Sequence, residues 1–171
     1  MGMKVAAAPE RRGLVWVLLI SVLLLAATLR LTNLDAYPDW VHHDHTMVGE
    51  NARHLTLSTF TQRVYSVCGP MMAFTTFFLW VFGPKLWVLR LSAACAGIAI
   101  VGGLYALGAA VFGRRVGLIA AALATTQNVL LLFSRLPYVI DPVAPIVWGL
   151  WCGVRGWQLR RWPWWVASGA L

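Results

Sequence analysis

The sequence has 171 residues, of which 60% are hydrophobic and only 12% are charged, and its mean hydropathy is +0.70. These values exclude a water-soluble domain and indicate an all-α, polytopic membrane protein, in which each crossing helix takes roughly 20 apolar residues. The net charge of +8 comes from basic residues spread in ones and twos between apolar runs, a pattern that sets membrane topology and gives no sign of a nucleic-acid partner.

The first predicted element is a transmembrane helix over residues 14–29, an unbroken apolar run. Lys4 and two arginines precede this run, so the positive-inside rule puts residues 1–13 in the cytoplasm. A cleaved signal peptide is the competing interpretation. It is disfavoured because Ala26-Ala27-Thr28 is a poor cleavage site and the apolar run is long for a signal peptide.

The segment 30–90 is predicted to be an extracytoplasmic loop that carries interfacial helices. Between residues 30 and 68 lie four of the six acidic residues and all four histidines, so this segment is the one equipped for chemistry. Asp44 is predicted to cap the first turn of a helix, since an aspartate accepts hydrogen bonds from the free N–H groups there. Apolar residues that follow Asp44 would let this helix lie along the membrane surface.

The topology depends on the apolar stretch 70–83, which has 14 residues and is short for a crossing helix. If the stretch crosses, six basic residues lie inside and eight outside, whereas an interfacial stretch puts eight inside and six outside. The positive-inside rule favours the interfacial arrangement. The predicted crossing helices are then residues 14–29, 91–113, 116–134 and 139–154, the last three within a C-terminal unit of residues 91–171.

Small and polar residues in these helices predict how they pack. Ala93 and Gly97 are four residues apart in the second helix, a spacing that lets two helices approach closely. Gln127 and Asn128 lie in the middle of the third helix, where we expect them to form hydrogen bonds with other helices rather than face lipid. The three cysteines show neither a metal-type spacing nor a disulfide framework, so they are predicted to be small buried residues.

The loop between the third and fourth helices falls on the same outer side as Asp44 in this topology. It contains Arg135 and Asp141, and an aspartate at the mouth of a membrane helix is costly unless it is solvated or paired. Two carboxylates and an arginine can therefore converge outside the membrane. An Arg135–Asp141 ion pair that simply ties the loop down is the alternative interpretation.

Five motifs in chain order resemble those of the GT-C glycosyltransferases, in the branch that contains protein O-mannosyltransferases and lipid A aminoarabinose transferases. The resemblance extends over residues 30–171, and five motifs in order make it fairly specific. The matching motifs are Asp44-His45 followed by Glu50, Ala52 and Arg53; Gly69-Pro70 through Phe82-Gly83-Pro84; Leu89-Arg90-Leu91; Tyr105 with Phe112-Gly113-Arg114-Arg115; and Phe133-Ser134-Arg135 with Asp141-Pro142.

This resemblance implies the N-terminal part of a GT-C transmembrane bundle and an inverting transfer of a sugar from a polyprenyl-phosphate donor to an acceptor hydroxyl. Asp44 matches the family's general base, and Asp141 matches its second acidic position. The leaving phosphate needs cationic stabilisation, which arginines in the motifs can supply. The substrate-binding candidates are Asp141, Arg135, Arg53, Arg90, Glu50 and His45.

The implied enzyme is a multi-pass protein of the plasma membrane with a cytoplasmic N-terminus. Its partners are the polyprenyl-phosphate-sugar donor, membrane lipid, and an acceptor that is a glycan, a lipid or a protein. The last apolar run, residues 164–171, is too short to cross the membrane, and family members continue with further helices. We therefore expect this 171-residue stretch to be inactive by itself.

Two other interpretations stay open from the sequence. His43 and His45 are weak candidates for binding a divalent metal, because imidazole groups together with a carboxylate suit zinc or a similar ion. Some GT-C enzymes use such an ion, and no other cofactor is predicted. A small transporter or membrane assembly factor is the second alternative, although the predicted spans contain no acid or base at mid-depth to form a polar pathway.

Overall fold

A computed structural model of the protein describes residues 12–36, 50, 54, 69–136 and 143–170. Every long regular element within these ranges is an α-helix, which confirms the all-α membrane fold expected from the composition. In chain order the helices are α1 (Arg12–Leu31), α2 (Gly69–Phe82), α3 (Leu86–Phe112), α4 (Arg114–Thr126), α5 (Asn128–Phe133), α6 (Val143–Leu159) and α7 (Trp162–Ala170).

The long helix α3 is the centre of the bundle. It contacts α1, α2, α4, α5 and α6, and α7 packs on α6. Small side chains dominate these contacts. Inside a membrane there is no water to drive apolar side chains together, so helices associate by close packing, which small residues permit. Two buried clusters show this: Ala93, Ala96, Ile100 and Ala144 between α3 and α6, and Ala26, Val101, Ala121 and Ala124 between α1, α3 and α4.

The tightest helix pair is the α3–α4 hairpin, which turns at Gly113. Its φ of +95° lies in the left-handed region that favours glycine. Four residues later, Gly117 faces α3 so closely that a Cβ atom there would lie 2.6 Å from the Tyr105 carbonyl oxygen. Glycine at both positions therefore allows the chain to reverse and the two helices to touch along their backbones.

Two of the described helices are long and apolar enough to cross a membrane, judged by length and composition. They are the 19-residue stretch Gly13–Leu31 of α1 and the 27-residue α3. Large apolar side chains on the outer face of α1 are exposed, as a lipid-facing surface requires. At least two individual helices thus have the length and apolar surface that the composition predicts for a membrane protein.

The prediction of one continuous third helix over residues 116–134 is wrong. The helix breaks at Gln127, whose ψ of 115° is extended, so that α4 and the six-residue α5 replace it. Gln127 also does not bond to another of the described helices as expected, and its side-chain oxygen accepts a hydrogen bond from the Val129 amide at 2.9 Å. Both Gln127 and Asn128 are exposed. The Gln127 side chain caps the first turn of α5, so its oxygen has a partner two residues away.

The fourth predicted helix, residues 139–154, ends later than predicted, and the predicted start lies outside the described residues. Helix α6 spans Val143–Leu159 and therefore extends five residues beyond the predicted end. The final apolar run forms α7 from Trp162. Small residues let α6 approach its neighbours: Gly149 is buried, and a Cβ atom on Gly153 would lie 3.2 Å from the Ser168 hydroxyl of α7.

The short apolar stretch forms helix α2, which packs beside the beginning of α3. The hydroxyl groups of Thr75 and Ser92 are hydrogen-bonded at 3.2 Å, and Leu79 packs on Val88. Close by in sequence, Arg90 binds carbonyl groups of the chain that follows α1. Helix α2 thus lies beside the part of α3 that is level with the first loop rather than with α1. This placement supports an interfacial helix, and its topology stays a prediction.

Candidate functional site

Three arginines are buried at one end of the bundle, which we call the loop end. It comprises the C-terminal turn of α1 with residues 32–36, the first turns of α3, and the end of α5 with residues 134–136. Arg30 is 0% exposed, Arg90 is 1% exposed and Arg135 is 9% exposed. A buried guanidinium is stable only with hydrogen-bond acceptors around it, so each of these side chains requires a specific set of partners.

Arg30 fills the break between α4 and α5. Its Nη2 donates to the Ala124 carbonyl at 3.0 Å and its Nη1 to the Thr125 carbonyl at 3.4 Å. The break at Gln127 frees these carbonyls from the helical hydrogen-bonding pattern, and a freed carbonyl inside a membrane bundle must find another donor. Nε of Arg30 donates to the Ser134 hydroxyl at 3.1 Å, so one side chain joins α1, α4 and the end of α5.

Arg135 caps the end of α1 in the same way. Its Nη2 donates to the carbonyls of Leu29 at 2.9 Å and Thr32 at 2.8 Å, and its Nη1 to the carbonyl of Asn33 at 3.4 Å. Asn33 has a φ of 53°, the left-handed conformation that commonly ends a helix. A positive side chain at a helix C-terminus is also favoured by the negative end of the helix dipole.

Arg90 holds the next part of the chain. Its Nη1 donates to the carbonyls of Leu34 at 2.8 Å and Asp35 at 3.3 Å. Arg90 also interacts electrostatically with Arg135 and with the Asp35 carboxylate. Arg90 and Arg135 together therefore fix the backbone from Leu29 to Asp35, where the first loop begins.

The loop end is strongly cationic within the described part of the chain. Three guanidinium groups meet there, whereas Asp35 supplies the one described carboxylate near them. Carbonyl oxygens and a hydroxyl accept the guanidinium hydrogen bonds named above. The arrangement can therefore stabilise a negative charge that develops close to it.

Glu50 and His54 are the two described residues of the predicted loop helix, whose existence stays a prediction. The amide of His54 donates to the Glu50 carbonyl at 3.3 Å, and the Glu50 carboxylate and the His54 ring are 2.9 Å apart. Both side chains are exposed. The remaining loop candidates, Asp44, Arg53, His43, His45 and Asp141, lie outside the described residues.

Among the predicted site residues, the structure brings Arg90 and Arg135 together at the loop end. It adds Arg30 and Ser134, which the sequence reasoning did not select. An arginine at the end of an apolar run usually extends to the membrane surface, so the sequence predicts Arg30 only as the first residue of the loop. Within the described residues no group of three metal-ligating side chains is present.

Comparison with known proteins connects the part of the bundle from α2 onward to one protein family. A family model described as Dolichyl-phosphate-mannose-protein mannosyltransferase matches residues 69–171, which is more than half of the chain. The match runs from α2 to the end of the sequence and includes Arg90 and Arg135. No curated protein and no solved structure matches the chain.

Proposed function

The chain belongs to the dolichyl-phosphate-mannose-protein mannosyltransferase family, and from this membership we propose that it transfers a sugar from a polyprenyl-phosphate donor to an acceptor hydroxyl. Membership supports the coarse function, a membrane glycosyltransferase that uses a lipid-linked sugar. We place the reaction at the extracytoplasmic face of the cell membrane, where the loop end lies in the topology favoured by the basic residues.

The proposed reaction is a single inverting displacement. The acceptor oxygen forms a bond to the anomeric carbon while the bond from that carbon to the phosphate oxygen breaks, and the electron pair leaves with the polyprenyl phosphate. Asp44 takes the proton of the acceptor hydroxyl, which makes a weak nucleophile reactive. Asp141 is proposed to position the acceptor or the sugar.

The observation that carries this proposal is the cationic loop end. Polyprenyl phosphate leaves with increased negative charge, and positioned cations lower the energy of that charge. Arg90 and Arg135 lie in the family-matched segment and meet Arg30 where the first loop begins. Arg53 in the loop is proposed to contact the phosphate directly, because the guanidinium groups of Arg90 and Arg135 already bind backbone carbonyls.

Other loop side chains are proposed to complete the substrate site. Glu50 and His45 belong to the motif that follows Asp44 and are assigned to substrate binding. His43 and His45 are the residues that would hold a divalent ion if the enzyme uses one. In that case the ion would add positive charge near the leaving phosphate.

The test is transfer of labelled sugar by the full-length protein in proteoliposomes, with polyprenyl-phosphate sugars as donors. We expect Asp44→Asn to reduce the rate at least about 100-fold, since a general base contributes roughly that much. Asp39→Asn, which removes another loop carboxylate, is the matched control and should keep most activity. Equal activity of the two variants would exclude Asp44 as the base.

Metal dependence has a separate readout. Activity is measured after treatment with a chelator and after addition of single divalent ions, with the unmodified protein. Restored activity with one ion and loss of that effect in a His43→Ala, His45→Ala double variant would support a metal site. A protein that binds lipid-linked sugar without transferring it, or moves a solute across the vesicle, would instead support the transporter interpretation.

A further inference from the structure

The end of the bundle opposite the loop end gathers basic and aromatic side chains from two turns. Nε2 of Gln158 donates to the Ala110 carbonyl at 2.6 Å, so the end of α6 lies beside the end of α3. Helix α4 begins with Arg114 and Arg115, and the turn after α6 carries Arg160 and Arg161. The described residues from α3 to α7 contain no carboxylate to offset these charges.

A cavity of about 430 Å³ opens between α6 and α7 at this end, where the two helices turn. The residues that line it are Gly156, Trp157, Arg160, Trp162 and Trp165. Gly156 makes room for an indole, because a Cβ atom there would lie 3.1 Å from the Trp165 ring. Trp157 is 77% exposed and Trp162 is 74% exposed, so two large rings face outward beside a guanidinium group.

The turn itself holds Arg160 in an uncommon conformation. Its φ of 50° lies in the left-handed region, which a residue with a Cβ atom adopts at some cost. Arg160 and Arg161 form the whole connection between α6 and α7. The strained turn therefore contains Arg160, which lines the aromatic cavity, and Arg161 directly after it.

We propose that this cavity binds the headgroup of an anionic phospholipid. Arg160, which lines the cavity, binds the phosphate, and the next residue, Arg161, adds a second positive charge to the turn. The exposed rings of Trp157 and Trp162 lie along the glycerol and upper acyl region. Tryptophan concentrates at the boundary between headgroups and hydrocarbon, and clustered arginines attract anionic lipid there. A free phosphate ion would use the cations and leave two outward-facing rings without a role.

The proposal is independent of the transferase reaction. It requires the membrane boundary to coincide with the α6–α7 turn, as expected if α6 crosses the bilayer from the loop end. In the favoured topology this end faces the cytoplasm, the side on which anionic lipids attract basic segments.

The test is native mass spectrometry of the full-length protein, titrated with phosphatidylglycerol or phosphatidylcholine. We expect preferential binding of phosphatidylglycerol and about tenfold weaker binding after Arg160→Gly with Arg161→Gln. Glycine suits the left-handed conformation at position 160, so this variant is expected to keep its fold. Unchanged helical content by circular dichroism checks that expectation.

The matched control is Arg114→Gln with Arg115→Gln, which removes the same charge from the same end but not from the cavity. This control should retain at least half of the lipid affinity. Equal losses in the two double variants would show diffuse attraction and overturn the site. Equal binding of the two lipids would overturn it as well.

A second pair of measurements separates a lipid from a free anion. Trp157→Ala should weaken phosphatidylglycerol binding, because it removes one exposed ring and no charge. Millimolar inorganic phosphate should displace little bound lipid. Full displacement by phosphate, together with unchanged lipid binding by the Trp157 variant, would identify a phosphate-ion site and contradict the proposal.

Discussion

The guanidinium of Arg30 donates a hydrogen bond to the hydroxyl of Ser134 at 3.1 Å, although 104 residues separate them in the chain. Ser134 in turn donates to the Leu130 carbonyl at 2.5 Å, which ties this contact to α5. The residue after Ser134 is Arg135, whose guanidinium binds the carbonyl of Leu29, the residue before Arg30. The adjacent residues Leu29 and Arg30 are thus hydrogen-bonded to the adjacent residues Arg135 and Ser134.

This arrangement is a reciprocal cap. Arg30 extends from α1 and satisfies carbonyls at the end of α4, while Arg135 follows α5 and satisfies carbonyls at the end of α1. The end of α4 supplies acceptors for Arg30 of α1, and the end of α1 supplies acceptors for Arg135, which follows α5. The cap therefore couples the start of the first loop to the loop after α5, which are the loops of Asp44 and Asp141.

We expect Arg30→Met to destabilise the protein by about 2–4 kcal/mol, because it leaves buried carbonyl groups without donors. Methionine keeps much of the side-chain volume, so the loss reports hydrogen bonds more than packing. The measurement is the midpoint of unfolding in mixed micelles as the fraction of SDS is raised. Arg115→Met removes an exposed arginine and should leave the midpoint nearly unchanged. Coinciding unfolding curves for the two variants would contradict the capping role.

Gly97→Ala should disturb the same contact from the side of α3. A Cβ atom at this position would overlap the Ser134 hydroxyl and lie 3.0 Å from Nε of Arg30, so Ser134 has to move. The expected cost is about 1–3 kcal/mol, as for other overpacked sites. Gly102→Ala is the control in the same helix, since its nearest new neighbour is the Trp148 ring at 3.8 Å. If Gly102→Ala lowered the stability of the protein more than Gly97→Ala, the close contact at Gly97 would not constrain the fold.

The all-α membrane fold follows from the sequence because long apolar runs report directly on helices that cross a bilayer. The sequence also shows that Gly97 packs closely, since small residues at that spacing favour helix contact. The cationic character of the loop end is partly predictable as well. Arg90 and Arg135 belong to motifs that resemble a known family.

The helix break at Gln127, in contrast, could not be predicted from the sequence. The polar stretch Thr125–Asn128 interrupts the apolar run there, but polar residues alone do not break a helix. The donors for the freed Ala124 and Thr125 carbonyls come from Arg30, 94 and 95 residues away. A contact between residues so distant in sequence leaves no periodic signal. Arg30 therefore looked like an ordinary end of an apolar run, and its burial could be known only after the helices were placed together.

Arg135 allows its charge and its capping role to be separated, provided that the proposed transfer reaction is correct. Arg135→Lys keeps the charge but lacks the planar group that binds the carbonyls of Leu29, Thr32 and Asn33 together. Arg135→Gln removes the charge as well. We expect sugar transfer to fall about tenfold in the lysine variant and at least about 100-fold in the glutamine variant, a range typical for one electrostatic group. Equal rates for the two variants would restrict Arg135 to the cap.

The topology is testable with single cysteines in a variant that lacks Cys68, Cys95 and Cys152. Lys85 and Arg115 are both exposed and lie near opposite ends of α3. If α2 is interfacial, Lys85→Cys reacts with an impermeant thiol reagent added outside intact cells, and Arg115→Cys reacts only after the membrane is opened. Because Arg90 binds the carbonyls of Leu34 and Asp35, the end of α1 and the start of α3 lie at the same end of the bundle. The reverse labelling pattern would therefore put the whole loop end in the cytoplasm, where its arginines could not serve a reaction outside the cell.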